Sequence, residues 1–97
     1  MGTQLLEDIE ALNNLNLVKY LNILGHTPLG GGPDSTDYQI VLLDEVMFIT
    51  VYHATNRFHD KDHNIHGSLV YFACLYFGIT PMELLDNIVA YYIDQLL

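Results

Sequence analysis

The spacing of hydrophobic and polar positions changes twice along the chain, from helical to strand-like and back. In the first 24 residues, apolar side chains recur at helical spacing, interrupted by a cluster of asparagines. Asparagine competes with the helix backbone and favours helix starts. The pattern therefore predicts helices over residues 3–13 and 17–24, with Asn16 as the cap of the second. Gly25 is the expected left-handed stop.

The middle of the chain alternates as strands do. Residues 38–43 and 46–53 are rich in branched and aromatic side chains, which predicts a hairpin over about residues 38–53. The Asp44-Glu45 pair between them lacks the glycine of a favoured two-residue turn, so we expect a four-residue connection. Both faces of the second strand are apolar, and such a sheet must be covered on both sides. Helices can cover one face, whereas the other needs more helix or a second subunit.

Two polar stretches, residues 26–37 and 54–66, are predicted to be loops because glycine, proline and charged residues dominate them. An almost wholly apolar helix follows over residues 68–77, as is typical of a central helix. Thr80, Pro81 and Glu83 predict a capped start for a last helix, which should run to about Gln95. The predicted fold is a single α+β domain over residues 1–97, with a small antiparallel sheet packed by N-terminal and C-terminal helices.

The composition indicates that apolar surface is buried between two subunits and that the protein can make few contacts with the phosphates of nucleic acids or lipids. In a chain of 97 residues, 51% apolar residues are more than a small core can hide, so we expect a homodimer. The 3 Lys and Arg against 12 Asp and Glu leave a net charge of −9. Lys19, Arg57 and Lys61 cannot supply the phosphate contacts that free nucleic acid or an anionic membrane requires, whereas a basic protein partner remains allowed. Without a signal peptide or a bilayer-length apolar stretch, a cytoplasmic protein is expected.

Histidine is the one metal-binding residue type that is concentrated in the sequence. If residues 59–66 turn helically, His59, His63 and His66 lie on one face, where imidazoles favour zinc, nickel or copper. These three residues are the candidate metal site. Otherwise no cofactor is expected, and zinc is the metal considered for this site. Two alternatives stay open: a solvated polar loop whose histidines cap nearby carbonyl groups, and a pH-sensitive interaction.

Catalytic motifs are missing from the sequence. It contains no nucleophile elbow or paired carboxylates, and Gly30-Gly31-Gly32-Pro33 is not followed by the residues of a phosphate-binding loop. Cys74 lies within the apolar helix, where a buried hydrophobic role is expected rather than a reactive thiol. The sequence therefore predicts no enzyme and no catalytic residues.

The order of the predicted elements resembles the zinc-binding domain of bacterial DNA primases, in the versions carried by mobile elements. The resemblance covers about residues 14–90, through residues 17–26, 47–53, 64–72 and Glu83-Leu84-Leu85. The family's four zinc ligands are absent, because Cys74 lies in the helix, and so are the basic residues that would meet template DNA. The resemblance implies a metal-free relative without the DNA role, and no functional residue carries over.

These observations together predict a non-enzymatic protein-interaction or accessory protein. The resemblance and the small size imply that it comes from a phage or another mobile element. One alternative is a histidine-based metal-binding protein. A second alternative is an acidic inhibitor that occupies the basic site of a nucleic-acid-binding protein.

Overall fold

The computed structural model describes residues 2–60 and 62–97 of the chain. Within them, five antiparallel strands form one sheet whose spatial order follows the chain, with helices before and after it. This confirms the predicted α+β fold, a small antiparallel sheet with N-terminal and C-terminal helices. Numbered in chain order, the elements are α1 (Gly2–Asn13), α2 (Leu17–Ile23), β1 (Gly30–Gly31), β2 (Ser35–Leu42), β3 (Glu45–Tyr52), β4 (Arg57–Asp60), β5 (Ile65–Gly67), α3 (Leu69–Phe77), α4 (Pro81–Asp86) and a final 3-10 turn (Ile93–Leu96).

The local signals around the second helix are the ones that the structure confirms. The Asn16 side chain accepts a hydrogen bond of 2.8 Å from the backbone N–H of Lys19, which satisfies a free donor in the first turn of α2. Gly25 follows with a φ of +97°, a left-handed conformation that a side chain would disfavour. Both predictions are confirmed because each depends on neighbours in sequence alone.

The β2–β3 hairpin is longer and tighter than predicted. The two strands pair without interruption from Ser35 opposite Tyr52 to Leu42 opposite Glu45. The expected four-residue connection is wrong: Leu43 and Asp44 alone form the turn, with φ values of +53° and +62°. Two left-handed residues give a turn whose twist matches that of the strands. Aspartate tolerates this conformation, whereas Leu43 adopts it against its own preference.

Two segments predicted as loops contain strands. Gly30–Gly31 pairs with β2, and residues 57–67 form a second hairpin through β4 and β5. The prediction failed for residues 54–66 because a polar side chain occupies an inward position. Phe58 and Asp60 are each only 1% exposed and share the inner face of β4, but the aspartate breaks the expected alternation of apolar and polar residues.

Asn56 connects the β3–β4 turn to the junction of α1 and α2. Its Oδ1 accepts a hydrogen bond of 2.9 Å from the N–H of Leu17, the first residue of α2. Its Nδ2 donates to the carbonyl oxygens of Asn13 (3.0 Å) and Leu15 (2.7 Å). One side chain therefore satisfies backbone groups that the two helix ends leave unpaired. Its φ of +56° is of a kind that asparagine tolerates better than most residues.

The hydrophobic core lies between the inner face of the sheet and the helices. Phe72 of α3 is fully buried, and its ring centroid is 5.6 Å from that of Phe58 and 6.5 Å from that of Tyr20. The Tyr20 hydroxyl donates to the carbonyl of Tyr91 at 2.7 Å, which fixes the C-terminal segment against α2. Buried side chains of β2 and β3 complete the core: Tyr38, Ile40, Leu42, Met47, Ile49 and Val51.

The last helix starts as predicted and ends early. Thr80 caps α4 through a 3.2 Å hydrogen bond from the N–H of Glu83, but α4 stops at Asp86 instead of continuing to about Gln95. The Asn87 side chain donates to the carbonyl of Glu83 at 3.0 Å and competes with continuation of the helix. In residues 2–60 and 62–97, no helix combines the length and the apolar character that crossing a membrane would require.

Candidate functional site

The outer face of the β2–β3 hairpin is apolar and is not covered by any described part of the chain. Val41 and Val46 are cross-strand partners, and they are 59% and 53% exposed. Phe48, the next outward residue on β3, is 58% exposed, and Leu43 in the turn is 57% exposed. We call these four residues the outer patch. The helices cover only the inner face, so the second apolar face predicted for β3 is open to solvent.

The structure brings together two of the three histidines predicted to bind metal. His59 and His66 are opposite each other on β4 and β5, with ring centroids 5.9 Å apart. His63 lies in the turn between these strands and hydrogen-bonds to Asp60, whose side chain points to the inner face. The helical turn assumed for this segment is wrong, because the segment is a hairpin. Across residues 2–60 and 62–97, no three His, Cys, Asp or Glu side chains form a group that could hold a metal ion.

Asp60, His63 and Glu45 form a hydrogen-bonded chain at one end of the sheet. The buried Asp60 carboxylate accepts from the backbone N–H groups of Asp62 (2.9 Å) and His63 (3.2 Å). The His63 Nδ1 lies 3.0 Å from the second Asp60 oxygen, and its Nε2 lies 2.6 Å from Glu45. The chain links the β4–β5 turn to the first residue of β3, where the backbones of β3 and β4 are not paired.

Hydrogen bonding shifts the pKa values of Asp60 and His63 in opposite directions. Burial by itself would raise the pKa of Asp60, but the hydrogen bonds from His63 and from the Asp62 backbone outweigh it and lower that pKa. The hydrogen bond to Asp60 raises the pKa of His63, with Glu45 adding to the effect and partial desolvation opposing it. The two shifts therefore widen the pH range over which the Asp60 carboxylate and the His63 imidazolium are charged together.

We expect this pair to stabilise the fold most at mildly acidic pH. The His63 contribution is complete below the unfolded-state pKa and is lost as pH rises through the raised folded-state pKa, whereas the Asp60 contribution is lost only as pH falls through its lowered pKa. The melting temperature of the parent minus that of His63→Gln should be larger by a few degrees near about pH 5.5 than near about pH 8. Burial lowers the pKa of His26, so this residue also makes the stability depend on pH. It is present in both proteins, so its effect cancels in the difference. An equal difference at both pH values would contradict the pairing.

A second surface feature is a cavity of about 640 Å³ between α1, β5 and α3. Ile9 and Asn13 line one side, and Val70 and Cys74 line the other. Arg57 lies at the mouth, where Nη1 donates to Ser68 Oγ at 3.2 Å and Nη2 lies 3.4 Å from His66 Nδ1. Cys74 is half-buried, and burial raises the pKa of its thiol, with the charge of Glu83 adding to the shift.

The sequence predicted the second apolar face of β3 but not the cavity. The residues that line the cavity are far apart in the chain. The sequence drew attention to Arg57 only because the chain has just three Lys and Arg residues. Of the other two cations, Lys19 is exposed on α2, and Lys61 lies outside the described residues. Comparisons with protein-family models, curated proteins and solved structures found no match to this chain.

Proposed function

We propose that the chain is a non-enzymatic interaction protein that pairs with a second copy of itself through the outer face of β2 and β3. The observation that supports this proposal is the outer patch, in which four large apolar side chains lie together with more than half of each exposed. Such side chains present on the order of 300–400 Å² of apolar surface, the scale at which patches on monomers are often functional.

The surroundings of the outer patch favour a partner with the same surface. The neighbouring outward positions on the two strands, Gln39 and Thr50, are uncharged. Thr50 already donates a 2.8 Å hydrogen bond to Asp37, so this carboxylate has a partner. A second copy could therefore pack over the apolar positions with the Asp37 carboxylate kept at the solvent-exposed rim, where its charge need not be buried.

The geometry of an antiparallel hairpin also suits a two-fold pairing. Two sheets pack face to face about 10 Å apart, with the strands nearly aligned. In that arrangement Phe48 of one copy would cover the Val41–Val46 pair of the other, and the reverse contact would follow by symmetry. An interface of about 800 Å² per partner would combine this apolar centre with a polar rim from the adjacent strand positions.

We expect Val46→Lys to give a monomer. A lysine at this position would place two like charges near the two-fold axis in apolar surroundings, and it should weaken self-association by roughly 100-fold. Light scattering coupled to size-exclusion chromatography should report twice the chain mass for the parent at micromolar concentration and the single mass for the variant.

Val89→Lys provides the matched control. Val89 is 69% exposed and lies in the C-terminal segment, which packs on the helical side of the molecule. This variant should keep the mass of the parent, and circular dichroism should show that both variants are folded. A parent that is monomeric throughout a dilution series would refute self-association, and loss of the dimer in Val89→Lys would place the interface elsewhere.

The other sequence predictions have less support from the geometry. A histidine-based metal site would require His63 to leave Asp60 and Glu45 and join His59 and His66. The role of an acidic inhibitor, the relationship to primase zinc domains and the origin from a mobile element remain predictions from the sequence. The outer patch favours protein interaction over these alternatives, because a contiguous apolar patch exposed to solvent usually marks an interaction site.

A further inference from the structure

We propose that the cavity between α1 and α3 is a binding site for a small monocarboxylate with an apolar body, such as a medium-length alkyl or aromatic acid. This site is separate from the outer patch and does not depend on self-association. Its volume of about 640 Å³ lies within the usual range for small-molecule sites, which combine apolar walls with a few polar groups.

The polar end of the cavity is built to receive a carboxylate. Arg57 forms no ion pair with any carboxylate in the described part of the chain, although the sequence has 12 acidic residues. Its contacts to Ser68 and His66 orient the guanidinium at the cavity mouth and leave its other N–H groups available. A planar fork of donors pairs best with a carboxylate, through two parallel hydrogen bonds.

The rest of the cavity is suited to an apolar body. Val70 and Cys74 are one helical turn apart on α3, and Ile9 and Asn13 have the same spacing on α1, so each helix contributes one face to the lining of the cavity. The Asn13 amide oxygen is already occupied by the N–H of Val70 at 2.9 Å, which joins α1 to α3 beside the cavity. Pro81 adds apolar surface at the α4 end.

The charges at the two ends of the cavity predict one carboxylate rather than two. Arg57 is at the β5 end, whereas Glu83 near Pro81 is close enough to affect Cys74. A second anionic group on the ligand would approach this negative charge, so a dicarboxylate of equal length should bind less well. The site thus selects a ligand with its charge at one end only.

Binding can be tested with octanoate as the probe. Titration followed by amide chemical shifts should give saturable changes at residues that line the cavity, notably Ser68, Val70 and Cys74. Arg57→Gln should weaken octanoate binding by about tenfold or more, because the charge-assisted pair is lost. The affinity of the neutral analogue octanamide should change by less than about twofold in the same variant.

Lys19→Gln is the matched control, because it removes the same unit of charge from an exposed site on α2. Octanoate affinity should be unchanged in this variant, which separates a local contact from the effect of net charge. Equal affinity in the parent and Arg57→Gln would refute the proposal. So would the absence of saturation up to about 10 mM, or shifts confined to the outer patch. Repeating the titration in Val46→Lys keeps the result independent of self-association.

Discussion

Phe72→Ala will strongly destabilise or unfold the protein. The Phe72 ring is fully buried, and its centroid lies 5.6 Å from the rings of Phe58 and Tyr76 and 6.5 Å from that of Tyr20. Truncating such a side chain costs about 3–5 kcal/mol, through lost transfer free energy and a residual cavity. A small domain has only about 5–15 kcal/mol of stability in total. Chemical denaturation followed by circular dichroism measures the loss.

Phe48→Ala is the matched control for this variant, since it removes the same atoms from a ring that is 58% exposed. Both variants should be compared in the Val46→Lys background, so that self-association does not contribute to the measured stability. Phe48→Ala should change the free energy of unfolding by less than about 1 kcal/mol. If the two substitutions cost the same, α3 is not the centre of the core.

Asn56→Ala is the second substitution with a large expected effect. It removes three hydrogen bonds at the α1–α2 junction, to Leu17, Asn13 and Leu15, and leaves alanine in a left-handed conformation. The summed cost should be about 3–4 kcal/mol, since each neutral hydrogen bond contributes about 1 kcal/mol and the conformation about 1 kcal/mol more. Denaturant unfolding monitored by circular dichroism gives the value directly.

Asn64→Ala separates the hydrogen bonds from the backbone conformation. Asn64 also has a positive φ, +53°, and its side chain is exposed in the β4–β5 turn. This variant should lose only the conformational part, about 1 kcal/mol. Similar losses in the two variants would show that the Asn56 side chain contributes little, and that the α1–α2 junction is held by other contacts.

The features that the sequence predicted are those that neighbouring residues decide. Asn16 and Thr80 cap their helices because their acceptors meet donors three residues along the chain. The partners of Asn56 lie 39 to 43 residues away, and so its role left no local sign in the sequence. Asp60 misled the prediction in another way: a carboxylate on an inner sheet face looks like part of a loop until its donors are known.

The candidate sites also divide into those that local sequence predicts and those that depend on contacts between distant residues. The uncovered outer face follows from alternation in β3, which every strand residue obeys regardless of its neighbours. The metal prediction for His59, His63 and His66 depended on helical spacing, whereas in the hairpin His59 and His66 are cross-strand partners and His63 lies in the turn between them. The cavity could not be predicted, because Ile9 and Arg57 come together only when α1 packs beside β5 and α3.

The chain-ordered sheet also has a consequence for how the protein is made. Each strand pairs with the strand synthesised just before it, so the sheet can grow from the N-terminal side with short loop closures. The α3 helix is synthesised after the whole sheet, and Phe72 joins Tyr20 to Phe58 only then. Until that moment the nascent sheet exposes apolar side chains on both faces. The growing chain is therefore most vulnerable to aggregation after the sheet has formed and before α3 docks on its inner face.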